Sequence, residues 1–178
     1  MRTEKDSLGT KEVPADAYYG IQTQRAIENF PISGLKTDHF LIEAYAFIKY
    51  AAARTNSELK LLEKTKARAI MQAAEEIVSG KLLEQFPVDV FQAGAGTSLN
   101  MNLNEVIANR ALIILGKRKG EYTIIHPNDD VNMSQSTNDT YPAAMRIAAL
   151  MRLKRLYPAL SQLIRAFYRK GKAFDHIV

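Results

Sequence analysis

The chain has 178 residues, 47% apolar and 24% charged, with 24 Lys and Arg against 19 Asp and Glu, a net charge of +5 and no cysteine. That length fits one globular domain, or one domain and part of another, and no run of eighteen apolar residues is present to span a membrane. The missing cysteines exclude disulfides and thiolate chemistry and permit a reducing cytosol, while basic residues scattered along the chain argue against a nucleic-acid partner.

Met1–Lys11 is charged and lacks the apolar segment of a signal peptide. Residues 1–20, punctuated by Gly9, Pro14 and Gly20, predict short extended pieces and a small hairpin. Gln22–Asn29 predicts a short helix that stops before Pro31. Asp38 caps a predicted helix reaching Leu59, with Leu41, Ile42, Tyr45, Ile48 and Ala52 at helical spacing. A further helix is expected over Glu63–Ser79, ended by Gly80, with Ala67, Ile70, Met71, Ala74, Ile77 and Val78 as its buried stripe. Phe86-Pro87-Val88 breaks the pattern. A helix then runs from Ser98 to Leu115, with Leu99, Leu103, Val106, Ile107 and Ile114 on one side, and ends at Gly116. Gly120–Ile125 reads as a turn and a short extended piece. A last helical pattern starts at Thr140, is broken or kinked at Pro158, and resumes to Phe174.

Two polar clusters interrupt this helical scheme. The first is Gly94-Ala95-Gly96-Thr97-Ser98, followed by Asn100, Asn102 and Asn104. Asparagine is a poor interior helix former, so three in five residues imply local hydrogen bonding or an amide network around a polar site. The second is the run Asn128 to Thr140, in which only Val131 and Met133 suit a core. Hydroxyls and amides just before a helix start can serve as caps or hold a small anion. A phosphate loop is not spelled, since GxxxxGK[ST] is absent. His126 has no second histidine near it, so no metal site is expected, and no cofactor.

Taken together, Gly94-Ala95-Gly96-Thr97-Ser98-Leu99-Asn100-Met101-Asn102, Asn104-Glu105-Val106-Ile107-Ala108-Asn109-Arg110-Ala111, His126-Pro127-Asn128-Asp129 and Ser134-Gln135-Ser136-Thr137-Asn138-Asp139 resemble the aspartase/fumarase superfamily. Val13-Pro14-Ala15-Asp16-Ala17-Tyr18-Tyr19-Gly20 and Arg25-Ala26-Ile27-Glu28-Asn29-Phe30 resemble it too. The resemblance covers essentially the whole chain and well under half of the family's usual length. It implies a mainly α fold: an N-terminal helical domain with a short β-hairpin over residues 1–135, then the first helices of a long helical bundle over 136–178. Fumarase members read GSGTQxNMN and SQSSND with a Trp in the opening motif. This chain reads GAGTSLNMN, SQSTND and Tyr18-Tyr19-Gly20, the ammonia-lyase wording, although His126-Pro127-Asn128-Asp129-Asp130 is nearer the fumarase form.

The implied reaction is reversible elimination of ammonia from L-aspartate to give fumarate, with fumarate hydration as the second reading. A non-catalytic helical module that binds a dicarboxylate or a partner is the reading from another class. Loss of the C3 proton loads negative charge onto the neighbouring carboxylate, an aci-carboxylate, which needs several fixed donors. Thr97, Ser98, Ser136 and Thr137 match the family's substrate-contacting hydroxyls, and Asn138 matches a residue suited to accept from the substrate ammonium. Asn100 is expected to support them from behind. His126, Asn128 and Asp129 match part of a secondary dicarboxylate site of fumarases, but Thr123 stands where those carry a basic residue, which argues against such a site. Neither a proton-abstracting base nor a cation to hold a carboxylate is expected inside the polar clusters. In the family the base is a serine in a downstream loop, and the site is built from three subunits of a homotetramer. The 178 residues are therefore expected to be an inactive N-terminal fragment of a cytoplasmic enzyme.

Overall fold

The structure is a computed structural model that describes residues 1–177, with the backbone alone of Ala95. The hairpin forms as expected: β1 (Arg2–Asp6) pairs antiparallel with β2 (Gly9–Val13), in a register that sets Arg2 opposite Val13 and Asp6 opposite Gly9. Helix α1 (Ile21–Asn29) follows. Helix α2 (His39–Glu58) is capped by Asp38, whose carboxylate accepts from the Phe40 N–H at 3.0 Å. Helix α3 (Lys64–Val78) packs along α2 and then against α4 (Thr97–Ile114).

The core lies among α2, α3 and α4, where Tyr45, Ile70, Ile77, Leu99, Leu103, Ile107 and Leu112 are fully buried. Helix α4 is enclosed on almost every side rather than along the one expected stripe. Its polar Asn100, Asn102, Asn104, Glu105 and Asn109 are buried as deeply as its leucines. Buried amides and carboxylates need partners; the Asn102 and Asn104 amide oxygens find none among the described residues, while the partners of Glu105 and Asn109 hold the outer elements to α4. Glu105 accepts from the N–H groups of Gly20 (2.9 Å), Gln22 (2.8 Å) and Thr23 (3.0 Å), fixing the start of α1. Asn109 donates to the Tyr18 carbonyl at 2.8 Å and accepts from Gly120 N–H at 2.7 Å.

The segment between α3 and α4 is held by Asp89. Its carboxylate accepts from Phe91 N–H (2.8 Å), Ser33 N–H and hydroxyl (2.8 Å each) and Gly34 N–H (2.7 Å). Burial alone would raise its pKa; these donors overcome that and bring it down to about 2. A 3₁₀ turn, Gly94–Gly96, then feeds α4. Gly96 is left-handed (φ 72°), and a Cβ there would overlap the ring of Tyr141.

Three expectations change. Residues 120–125 hold only turns and bends, because Asn109 and Tyr122 tie this segment to α4 and leave no strand to pair with. The last helix, α5, starts at Thr137 rather than Thr140, with Ser136 as its cap. It then runs unbroken to Phe174, 38 residues with both Pro142 and Pro158 inside. Pro158 removes one N–H, the partner of the Lys154 carbonyl. That carbonyl lies on an exposed stretch where water can satisfy it. At about 1.5 Å per residue α5 is roughly 57 Å long, and only Thr140 and Ala144 along it are buried. Among the described residues no helix is long and apolar enough to cross a membrane.

Candidate active site

The polar clusters meet where α2, α4 and the turn before α5 converge, around a residue the sequence reading passed over. Lys49 of α2 is fully buried. Its ammonium donates to Asn100 Oδ1 at 2.7 Å, Asn132 Oδ1 at 2.8 Å and Gln135 Oε1 at 3.0 Å. The Tyr45 ring lies 5.2 Å from Nζ. Burial lowers the lysine's pKa to about 7. The polar clusters themselves hold no cation to grip a carboxylate, as expected for their sequence, but a helix 51 residues before Asn100 brings Lys49 to them with its donors on amide oxygens. A signal for it existed: Ile42, Tyr45, Lys49 and Ala53 are buried at helical spacing, so position 49 falls on the inward stripe of α2.

The amides around Lys49 form a continuous network. Asn132 Oδ1 also receives Asn100 Nδ2 at 3.1 Å and Asn104 Nδ2 at 3.3 Å. Asn100 Nδ2 reaches Thr137 Oγ1 at 2.8 Å. Gln135 Nε2 donates to the Val131 carbonyl at 2.9 Å, and Asn132 Nδ2 to the Gln135 carbonyl at 3.1 Å, which folds residues 131–137 against α4. The expected supporting place of Asn100 matches this geometry: it is buried and touches Thr137. Asn132 and Gln135, two further members of the second polar run, thereby join the candidate site.

The predicted residues divide into three places. Ser136, Thr137 and Asn138 open α5, where the Ser136 hydroxyl accepts from Asn138 N–H at 3.3 Å. Thr137 is half-buried, while Ser136 and Asn138 are exposed. Thr97 opens α4 one turn before Asn100, is exposed, and donates to the Gly94 carbonyl at 2.9 Å. The Gly94–Gly96 turn packs on α5, so Thr97 and the start of α5 are neighbours. Ser98 is not part of that group. It lines a hollow with Asp6, Gln22, Arg25 and Asn29, on the α1 side of α4. The opening of α4 is also less available to an anion than expected, since Gln92 Oε1 accepts from Leu99 N–H at 2.7 Å.

His126, Asn128 and Asp129 sit apart, in the wide π-type turn Pro127–Val131. His126 Nδ1 accepts from the N–H groups of Asn128 (3.3 Å) and Asp129 (3.1 Å), so the imidazole caps its own turn. Asp130 ties the turn down, accepting from His126 N–H at 2.7 Å and pairing with Lys66 at 3.1 Å. No group of His, Asp and Glu suited to hold a metal ion occurs among the described residues.

The arrangement pairs two threonines, a serine and a helix start with a buried cation that has no carboxylate among its partners. Such a surface suits a small carboxylate. A family model described as lyase matches residues 9–178. An aspartate ammonia-lyase from Pseudomonas canavaninivorans is 52% identical over 180 residues, covering 100% of this chain and 38% of that one. A class II fumarate hydratase from Thermus thermophilus is 54% identical over 183 residues, covering 99% and 38%. The crystal structure of a fumarate lyase:delta crystallin from Brucella melitensis in native form superposes with a TM-score of 0.94 at 55% identity, covering 97% of this chain and 39% of that one. The chain thus spans under two fifths of the length of these relatives.

Proposed function

The chain belongs to this lyase family, and on that premise we propose that the complete protein is an aspartate ammonia-lyase. The C3–H bond of L-aspartate breaks, its electron pair forms the C2–C3 double bond of fumarate, and the C2–N bond breaks to release ammonia. Thr97, Ser136 and Thr137 receive the carboxylate that gathers charge as the proton leaves. Asn138 accepts from the ammonium, which needs no strong acid because it departs already protonated. Ser98, on the α1 side of α4, is given no contact with the substrate. The observation that carries the reading is the buried Lys49–Asn100–Thr137 chain, which brings a cation to the hydroxyl cluster without an internal carboxylate to neutralise it. The base, a further lysine and the remaining contacts come from other segments and neighbouring subunits of a cytoplasmic homotetramer. Residues 1–135 form one domain and 136–178 begin the shared bundle.

Fumarate hydration is the second reading, favoured by the 54% identity to the Thermus hydratase. Absorbance of fumarate released by the complete protein from L-aspartate and from L-malate separates the two. Release from aspartate alone, lowered about a hundredfold or more by Asn138→Ala, is the expected result. Release from malate alone assigns the hydratase, and release from neither refutes both. The 178-residue chain by itself is expected to release none above a Thr97→Ala control.

A further inference from the structure

We propose that Lys49 is a positioning residue that sets the direction of the hydrogen bonds reaching Thr137, so that the Thr137 hydroxyl is left to donate to substrate. The inference rests on the substrate reading above and adds a residue to it.

An ammonium has three N–H donors and no acceptor. Lys49 meets three side-chain amide oxygens, at 2.7, 2.8 and 3.0 Å, one for each donor. Each amide is therefore turned with its oxygen toward Lys49 and its NH₂ group away. For Asn100 that NH₂ group is the one that reaches Thr137 Oγ1 at 2.8 Å. A hydroxyl that receives an N–H still has its own hydrogen to give. A carboxylate only accepts, so the Thr137 hydroxyl serves it best when no neighbour competes for its hydrogen. The chain Lys49 → Asn100 → Thr137 runs in one direction, from a donor-only group outward to the place where an acceptor-only ligand would sit.

Without Lys49 this direction is lost. Asn100 can turn its oxygen toward Thr137 and take the hydroxyl hydrogen, and the same atoms then present a lone pair to the substrate carboxylate. Asn132 loses one of the three donors that reach its oxygen, which weakens its hold on the Asn100 amide. The direction holds while the amine carries all three hydrogens, and burial, which lowers its pKa to about 7, sets the pH above which one of them leaves.

The test uses the complete protein and L-aspartate. Lys49→Met is expected to lower kcat by about tenfold or more with a smaller change in KM, since the donor matters most when the aci-carboxylate forms. Thr137→Ala is expected to lose a similar factor, and the double variant no more than Thr137→Ala alone, because both remove the same donor. Losses that multiply would overturn the proposal, as would an unchanged kcat in Lys49→Met. Neutron diffraction of the unsubstituted protein provides an arm that needs neither a folded variant nor a correct substrate. The expected map puts the Asn100 amide deuterons on the Thr137 side and turns the Thr137 deuteron away from Asn100. A Thr137 deuteron pointing at Asn100 would overturn the inference. If the protein releases fumarate from neither substrate, the lyase reading fails while this map still decides the role of Lys49.

Discussion

At the scale of single residues, Lys49 has a consequence for stability that is separate from its place in the site. Its folded pKa of about 7 lies below the ordinary 10.5. Between those values the unfolded chain binds a proton that the folded chain has released, so stability rises with pH across that window. The increment is complete above 10.5 and is lost as pH falls through 7. The Tyr45 hydroxyl beside it is pushed up to about 12 by burial and is bonded to Thr140 at 2.8 Å, so it stays neutral across most of the same range. Chemical denaturation at about pH 7 and about pH 9.5 is expected to show a rise that Lys49→Met abolishes. The hydroxyls Thr97, Ser136 and Thr137 were legible in the sequence because they stand together in short polar runs. For Lys49 the helical spacing marks an inward position, but its amide partners are not readable locally. Its partners are drawn from positions 51 to 86 residues away.

At the scale of elements, α1 shows how a motif that reads as chemistry can serve architecture. Glu105 lies in the Asn104–Ala111 run that carries part of the family resemblance, yet its carboxylate is spent on three N–H groups at the start of α1. Burial raises its pKa, and the donors from Gln22, Thr23 and Gly20 oppose the rise. Gly20 is required there, since a Cβ would lie 2.5 Å from the Tyr122 hydroxyl and 2.8 Å from Glu105 Oε1. Glu105→Ala is expected to lower unfolding free energy by on the order of 3 kcal/mol, measured by denaturant titration, because three N–H groups lose their acceptor at once. The five helices were legible from apolar spacing, caps and glycines, with ends within a few residues. The unbroken path of α5 through Pro158 was not, because proline's local preference is visible in sequence whereas the solvent that receives the freed Lys154 carbonyl is not.

At the scale of the whole molecule, α5 divides the chain into a packed body and a rod. Leu150, Leu153, Leu156, Leu160, Leu163, Ile164 and Phe167 are all exposed along it. A contiguous apolar face of that length drives association. Static light scattering of the 178-residue chain is expected to report oligomers at micromolar concentration; a monodisperse monomer would contradict this. The helical spacing of these apolar positions is readable in the sequence. The tie between Glu105 and α1 also bears on the order in which the molecule is made. A nine-residue helix does not hold in water by itself. The carboxylate that secures α1 lies 82 to 85 positions further along the chain. During synthesis the first thirty residues therefore wait, without a stable helix, until Glu105 has left the ribosome and α4 has begun to form. Protection of the Gln22 and Thr23 amides is thus a clock for the docking of the amino-terminal segment, and it starts only when more than half of this chain exists.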